Sequence, residues 1–337
     1  MILFIIGTRP QYVKMFPLYK HFKDNLDFML IDSGQHYDPQ MSKQFAKDFN
    51  MHPDFIFNKS KLSGIEFFGN FVIELENFIL KNKSISKVVV FGDTITTAAG
   101  SIVSKIMGLE LIHIEAGLRS FNRKMPEEIN RIISDHIADK NLILSRAGKE
   151  NLLNEGIDIK KIIEIGDLMY DSAMLAKKMI SSNQLFPDNT SLLTIHRKEN
   201  ITDKKSLIDI FNFISNLNYK FILPMHHSLK NALKKFELSI PNNIEIIKPL
   251  SYFDTINRIM NSEIILTDSG GLQKEAYYFH KPVIVLRTES EWVELIQENY
   301  SIYYDSYEDN HVFNTNYDNI IYAKKDNLEI IKESLTS

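Results

Sequence analysis

"VVVFGDTITTAAGSIVSKIMGLELIHIEAGLRSFNRKMPEEINR", residues 88 to 131, sets the reading of the whole chain. Val88–Phe91 is a short apolar run with no polar alternation, the pattern of a strand covered on both faces. A Gly-Asp-Thr turn follows, then a helix-length segment, then a second apolar run, Leu111–Ile114. Strand, turn, helix and strand in that order make a βαβ unit, which requires parallel strands. The same stretch places Asp93, Glu115, Glu127 and Glu128 at the ends of successive elements. Most carboxylates serve only to keep a surface solvated. Acids at the carboxyl ends of parallel strands lie where α/β proteins bind ligands.

The unit recurs outward in both directions. Ile2–Ile6, Phe28–Asp32 and Asn141–Leu144 are strand-like runs in the first half of the chain. Leu192–Ile195, Phe221–Leu223, Ile244–Ile247, Ile264–Thr267 and Val283–Leu286 follow in the second. Between them lie amphipathic patterns such as Ile65, Phe68, Val72, Leu75, Phe78 and Ile79, spaced for one face of a helix. The alternation pauses around 164–174 and the polar stretch 181–191. A length of 337 residues exceeds what one core usually serves, so two α/β domains are expected. The first spans 1–167 and the second 168–324, with a final helix near 327–335 in a segment, 325–337, that packs back on the first.

Composition narrows the function classes. A net charge of −4 gives no reason to expect nucleic acid or an anionic membrane as partner. The chain contains no cysteine, which excludes disulfides, thiolate metal sites and a cysteine nucleophile and is compatible with a cytoplasmic protein. No apolar run is long enough to span a bilayer. His226 and His227 are adjacent and point apart, so no metal site is expected there.

Polar punctuation follows strand after strand. Gly7-Thr8-Arg9-Pro10 closes the first, Gly34-Gln35-His36-Tyr37 the second, and Gly92-Asp93-Thr94 and Glu115-Ala116-Gly117-Leu118-Arg119 the next two. His196-Arg197-Lys198, Met225-His226-His227 and Asp268-Ser269-Gly270-Gly271 repeat the arrangement in the second half. Ser269, Gly270 and Gly271 open a helix whose free N–H groups attract phosphate, with Glu275 one turn on. Asp268 or Ser269 as a plain helix cap is the competing explanation. Arg9 and Lys14 suit a diphosphate, and His-Arg-Lys at 196–198 suits a leaving phosphate.

Taken together, "GTRPQ", "GQHYD", "GDTIT", "HIEAGLRS", "MPEEINR", "TIHRKEN" and "LTDSGGLQKEA" resemble, in order, the non-hydrolysing UDP-N-acetylglucosamine 2-epimerases. The likeness runs from residue 2 to about 300; the remaining tail carries no matching motif. It implies a GT-B-like fold, two Rossmann-like domains around a deep cleft, and a homodimer. It implies inversion at C2 of a UDP-2-acetamido sugar by eliminating UDP and adding it back, without cofactor or metal. Asp93, Glu115 and Glu127 match the catalytic carboxylates. Arg9, His196, Ser269, Gly270 and Gly271 match the groups around the departing UDP, and Glu275 the ribose contact. Lys14, Gln35, His36, Arg119, His226 and Arg287 match positions that line the cleft. Glu128, Asn130 and Arg131 are expected as helix-surface or packing residues.

Two departures bear on the substrate. Gln11 stands where most members carry an acid, and "RTESEWVELI" (287–296) replaces a Thr-Glu-Arg-Pro-Glu run. Both resemble the branch acting on UDP-2,3-diacetamido-2,3-dideoxyglucuronic acid. A hydrolysing 2-epimerase, a GT-B glycosyltransferase and a non-catalytic sugar-nucleotide sensor are the rival readings. The first has different motifs, the second leaves the matched acids unexplained, and the third leaves them unused.

Overall fold

The computed structural model describes residues 1–35, 46–57, 62–180, 190–318 and 320–337. It divides into two compact units, one of Met1–Ser172 with Ile321–Ser337 and one of Ala173–Ile320. Each is built on its own parallel sheet, and the two sheets have related strand orders.

In the first unit the described strands are β1 (Ile2–Ile6), β2 (Phe28–Asp32), β3 (Phe55–Ile56), β4 (Lys87–Phe91), β5 (Glu110–Ala116), β6 (Lys140–Ile143) and β7 (Ile162–Glu164), in spatial order 3-2-1-4-5-6-7. Every residue of β1 is buried, as are Val88, Val89, Val90 and Phe91 of β4. This is the both-faces burial that continuous apolar runs signal. Leu3, Ile5, Val88, Val90 and Leu111 pack with Phe67, Phe71, Leu75 and Ile79 of the helix Gly64–Lys81. Phe4, one residue out of phase, meets Phe28 and Phe91 on the other face. Each fully buried large side chain of this kind contributes about 1.5–3 kcal/mol relative to exposure.

The chain's last helix, Asn327–Thr336, belongs to this unit. Asn327 donates to the half-buried carboxylate of Asp171, Lys140 Nζ donates to the Ser334 carbonyl at 2.7 Å, and His21 pairs with Glu329 at 2.9 Å. Burial pushes the Asp171 carboxyl up to about 6 despite the Asn327 hydrogen bond, and nearby Asp167 adds to the rise.

The second unit carries β8 (Thr190–Thr194), β9 (Lys220–Pro224), β10 (Ile244–Ile247), β11 (Ile265–Thr267), β12 (Val283–Val285) and β13 (Ser301–Tyr303), in spatial order 10-9-8-11-12-13. Its core joins Leu193, Leu223, Leu266, Ile284 and Leu286 to Leu207, Ile210 and Ile214 of the helix Lys204–Asn216. In both units the strand order reverses beside the first strand, β1/β4 in one and β8/β11 in the other. Such reversals open the crevice in which doubly wound sheets bind ligands.

Several local expectations are corrected. On the helix Gly64–Lys81 the predicted face holds at Phe68, Val72, Leu75, Phe78 and Ile79, joined by Phe67 and Phe71, but Ile65 is 86% exposed. The pause read at 164–174 holds the start of a helix, Leu168–Met179, whose buried Ala173 and Ala176 give it a small-residue face that apolar periodicity does not register. Strands β3, β7 and β13 lie at or beside sheet edges and are only two or three residues long, too short to form a recognisable run.

The turn after β5 imposes a strict requirement on one residue. Gly117 has φ +82°, and a Cβ there would lie 2.4 Å from the backbone oxygen of Gly148. Gly117→Ala therefore combines left-handed strain with a backbone clash and is expected to lower unfolding free energy by about 3 kcal/mol or more. Chemical denaturation against the unsubstituted protein measures this.

Candidate functional site

At the carboxyl ends of β4 and β5 the first unit assembles charged groups from four elements. Lys14, from the helix Arg9–Phe22, is buried and its Nζ pairs with Glu115 Oε2. Glu115 has φ +69°, the left-handed region a glutamate rarely enters. The β5–β6 register shifts between Ile114 and Ala116, so Glu115 is the extra residue of a bulge. Bulges re-aim a side chain at a sheet rim, and backbone strain of this kind gathers at functional positions. Beside it, Asp93 pairs through Oδ2 with Arg131 Nη2, and Asn130 Nδ2 donates to the Asp93 carbonyl at 2.9 Å. The Arg131 guanidinium is desolvated, yet the charges of Asp93, Glu128 and Glu115 outweigh that and raise its pKa further.

Gln11 ties this rim together. Its Oε1 accepts from the N–H groups of Gly7 and Thr8 at 2.8 and 3.1 Å. Its Nε2 donates to the Phe91 carbonyl at 2.8 Å and lies 3.0 and 3.1 Å from the hydroxyls of Thr94 and Thr97. An amide can both donate and accept, whereas a carboxylate only accepts. The substitution of Gln for the common acid thus has a local reason: it joins the end of β1 to the end of β4.

The helix Pro126–Ile137 separates two adjacent acids. Glu127 is exposed; Glu128 is 1% exposed and accepts from Ser120 N, Ser120 Oγ and Phe121 N, each at 2.9 Å, and from Arg131 Nη1 at 3.0 Å. Burial would raise the Glu128 carboxyl, but the Ser120 hydrogen bonds and the Arg131 charge hold it below the ordinary range. Asn130 and Arg131, expected as surface or packing residues, hold the backbone and carboxylate of Asp93. Helical spacing does not separate the two acids, because residue 131 lies within one turn of both 127 and 128.

Arg119 is a correction. Its Nη1 donates to Asp135 Oδ2 and to the Leu118 carbonyl, and its Nε and Nη2 donate to Glu155, all at 2.6 Å. The guanidinium is 1% exposed and fixes the turn after β5 rather than facing a ligand. Asp135 also bonds His113 Nδ1 at 2.7 Å and accepts from Gly117 N at 3.1 Å. Gln35 accepts through Oε1 from Thr96 N and Thr96 Oγ1 at 2.9 and 2.6 Å, again at the β1/β4 rim. Arg9 is the first residue of its helix. His36 lies outside the described residues.

In the second unit Asp268, read in sequence as a possible helix cap, does more. It is fully buried and accepts from His196 N at 2.9 Å, Arg197 N at 2.9 Å and Asn200 Nδ2 at 3.0 Å. Its Oδ1 lies 3.0 Å from His196 Nδ1, while the His196 side chain remains 42% exposed. The carboxylate therefore orients an imidazole whose other edge faces outward. The register Thr267↔Thr194 explains the meeting, since it places the residues just beyond β11 and β8 side by side. Ser269 caps the helix Gly270–Tyr278 by accepting from Leu272 N at 3.4 Å, and Glu275 is buried within that helix. His226 is the exposed N-cap of the helix His227–Phe236, with Nδ1 2.6 Å from Ser228 Oγ. Arg287 Nη1 pairs with Glu291 at 2.8 Å.

Burial would raise Asp268, but hydrogen bonds and charge from His196 and the Arg197 N–H keep its carboxyl below the ordinary value. Its stabilising contribution is thus complete above an unfolded-state value of about 3.9 and is lost as pH falls through the lower folded value. Asp268→Asn should cost about 1–3 kcal/mol at pH 7 by leaving buried donors unmatched, with the gap to the parent narrowing below pH 4 or so. Urea unfolding across pH 3–7 measures it.

The model of the family described as UDP-N-acetylglucosamine 2-epimerase matches residues 20–328. A UDP-N-acetylglucosamine 2-epimerase homolog of Methanococcus maripaludis is 38% identical over 89% of this chain and 87% of its own length. UDP-2,3-diacetamido-2,3-dideoxy-D-glucuronate 2-epimerase of Pseudomonas aeruginosa is 36% identical over 88% and 85%. The crystal structure of Methanocaldococcus jannaschii UDP-GlcNAc 2-epimerase in complex with UDP-GlcNAc and UDP superimposes with a TM-score of 0.87 at 32% identity, covering 99% of each chain. The GT-B-like fold expected from the motifs is therefore present, and the chain belongs to the UDP-N-acetylglucosamine 2-epimerase family.

Proposed function

We propose that this protein inverts C2 of a UDP-2-acetamido sugar, converting UDP-N-acetylglucosamine to UDP-N-acetylmannosamine by eliminating UDP and adding it back. The observation that carries the reading is the pair of carboxylates, Asp93 and Glu115, at the ends of adjacent strands β4 and β5, each fixed by a cation. A carboxylate takes the C2 proton on one face while the C1–O electron pair leaves with UDP, giving a C1=C2 double bond. Re-addition returns the diphosphate oxygen to C1, and a second acid delivers a proton to C2 from the other face. Exposed Glu127 is the third member of the proton-transfer set. The leaving diphosphate is stabilised by the helix N-terminus at Ser269–Gly271 and by the outward edge of His196. Glu275 holds the ribose.

The run 287–296 and Gln11 support a second reading, the same inversion on UDP-2,3-diacetamido-2,3-dideoxyglucuronic acid. Incubation with each sugar nucleotide in deuterated water decides between them. Reversible epimerisation with deuterium at C2 is the expected result; free sugar plus UDP identifies a hydrolase, and no turnover a binder. Glu115→Gln and Asp93→Asn should each lower kcat about a hundredfold or more, with UDP affinity nearly unchanged by calorimetry.

The active species is a homodimer in this reading. Ile65, Ile73 and Leu80 line one side of the helix Gly64–Lys81 and are 86, 60 and 55% exposed. Exposed apolar side chains on one helix side are compatible with an association surface. Light scattering after size exclusion should give twice the 39.1 kDa chain mass, and Ile73→Arg should return the monomer.

A further inference from the structure

A carboxylate supplied by the chain itself lies against the first residue of the helix Gly270–Tyr278. A Cβ built on Gly270 would lie 2.1 Å from Glu291 Oε1 and 2.9 Å from Glu291 Cδ, so that carboxylate rests directly on the first helical residue. Glycine here leaves room for Glu291 as much as for a ligand. The same carboxylate accepts from Arg287 Nη1 at 2.8 Å and from Arg197 Nη2 at 3.4 Å. Burial would raise its pKa, but the charges of Arg287 and Arg197 outweigh burial and keep it ionised.

The segment bearing Glu291 is fastened to the helix. Trp292 Nε1 donates to the Gly270 carbonyl at 2.9 Å, Ser290 Oγ donates to Gln273 Oε1 at 2.9 Å, and Trp292 N donates to Ser290 Oγ at 3.2 Å. Lys274 Nζ lies 4.0 Å from the centre of the Trp292 ring, a cation–π contact that adds a third hold on the helix. A helix N-terminus with two guanidinium groups is what a diphosphate requires. Glu291 takes both guanidinium groups and fills the space against Gly270.

We propose that Glu291 is an internal competitor for the anion site, so that a nucleoside diphosphate engages Gly270, Arg197 and Arg287 only after the segment Ser290–Trp292 withdraws. This rests on the reading of Ser269–Gly271 as the diphosphate site. A ligand whose site is open for only a fraction of the time binds more weakly by that fraction. The segment therefore sets nucleotide affinity, and it lies in the run that departs from the common family pattern.

Calorimetric titration of the full chain with UDP, inorganic diphosphate and uridine tests the proposal. Glu291→Gln keeps the side-chain shape and removes the charge; UDP and diphosphate should bind about tenfold tighter, with uridine unchanged. Trp292→Phe retains Glu291 but loses the indole N–H clasp, and should tighten both ligands by a smaller factor. UDP binding to Glu291→Gln as on the parent, or more weakly, overturns the proposal while leaving the nucleotide site intact. Diphosphate gaining affinity while UDP binds neither protein supports the internal competitor and removes the nucleotide reading. Should Glu291→Gln not fold, Trp292→Phe decides: tighter binding supports the idea, and unchanged or weaker binding overturns it.

Discussion

A carboxylate at the end of a parallel strand must be met by a cation or an N–H group from a neighbouring element, and the candidate site depends on that pairing. Removing a charge from water costs several kcal/mol, recovered only where partner geometry is good. Asp93 is met by Arg131, Glu115 by Lys14, Asp135 by His113 and Arg119, and Asp268 by His196 and two backbone N–H groups. These pairings do two kinds of work. Those at Asp135 and Asp268 are buried and hold turns and rings in place. Those at Asp93 and Glu115 leave carboxylate surface open and hold it in a defined direction.

The two units handle anions differently. The first concentrates acids at its strand ends and restrains them with Lys14 and Arg131. The second concentrates cations and a helix N-terminus, with one acid, Glu291, laid across them. Proton transfer needs the first arrangement and a departing diphosphate needs the second. Gln11 shows how tightly the first rim is drawn, since one amide serves five partners drawn from the ends of β1 and β4 and the following helix.

Much of this was legible beforehand because it depends on local pattern. The central strands β1, β4, β5, β8 and β9 announce themselves as continuous apolar runs, since burial on both faces leaves no room for polar alternation. The edge strands β3 and β13 do not, because a two- or three-residue strand makes too few demands on side chains. Asp93, Glu115 and His196 stand out in the sequence because a strand end is a recognisable place. Local pattern offers Asp268 no more than a possible cap, because its partner His196 lies beyond another strand, 72 residues away along the chain. The motif around Arg119 does not reveal which acids it meets, because Asp135 and Glu155 lie 16 and 36 residues further along the chain.

By itself the sequence determined the βαβ repetition, the central strands and which residue types stand at their ends, all consequences of side-chain pattern within a few residues. Tertiary structure alone decided which of those residues face outward and which are consumed within the scaffold. It turned Glu127 out and Glu128 in, bent the strand at Glu115 through a bulge, and brought Asp268 beneath His196 and Glu291 onto Gly270. Each of these depends on distance through space between segments far apart in the chain, set by register and packing and not by any single stretch.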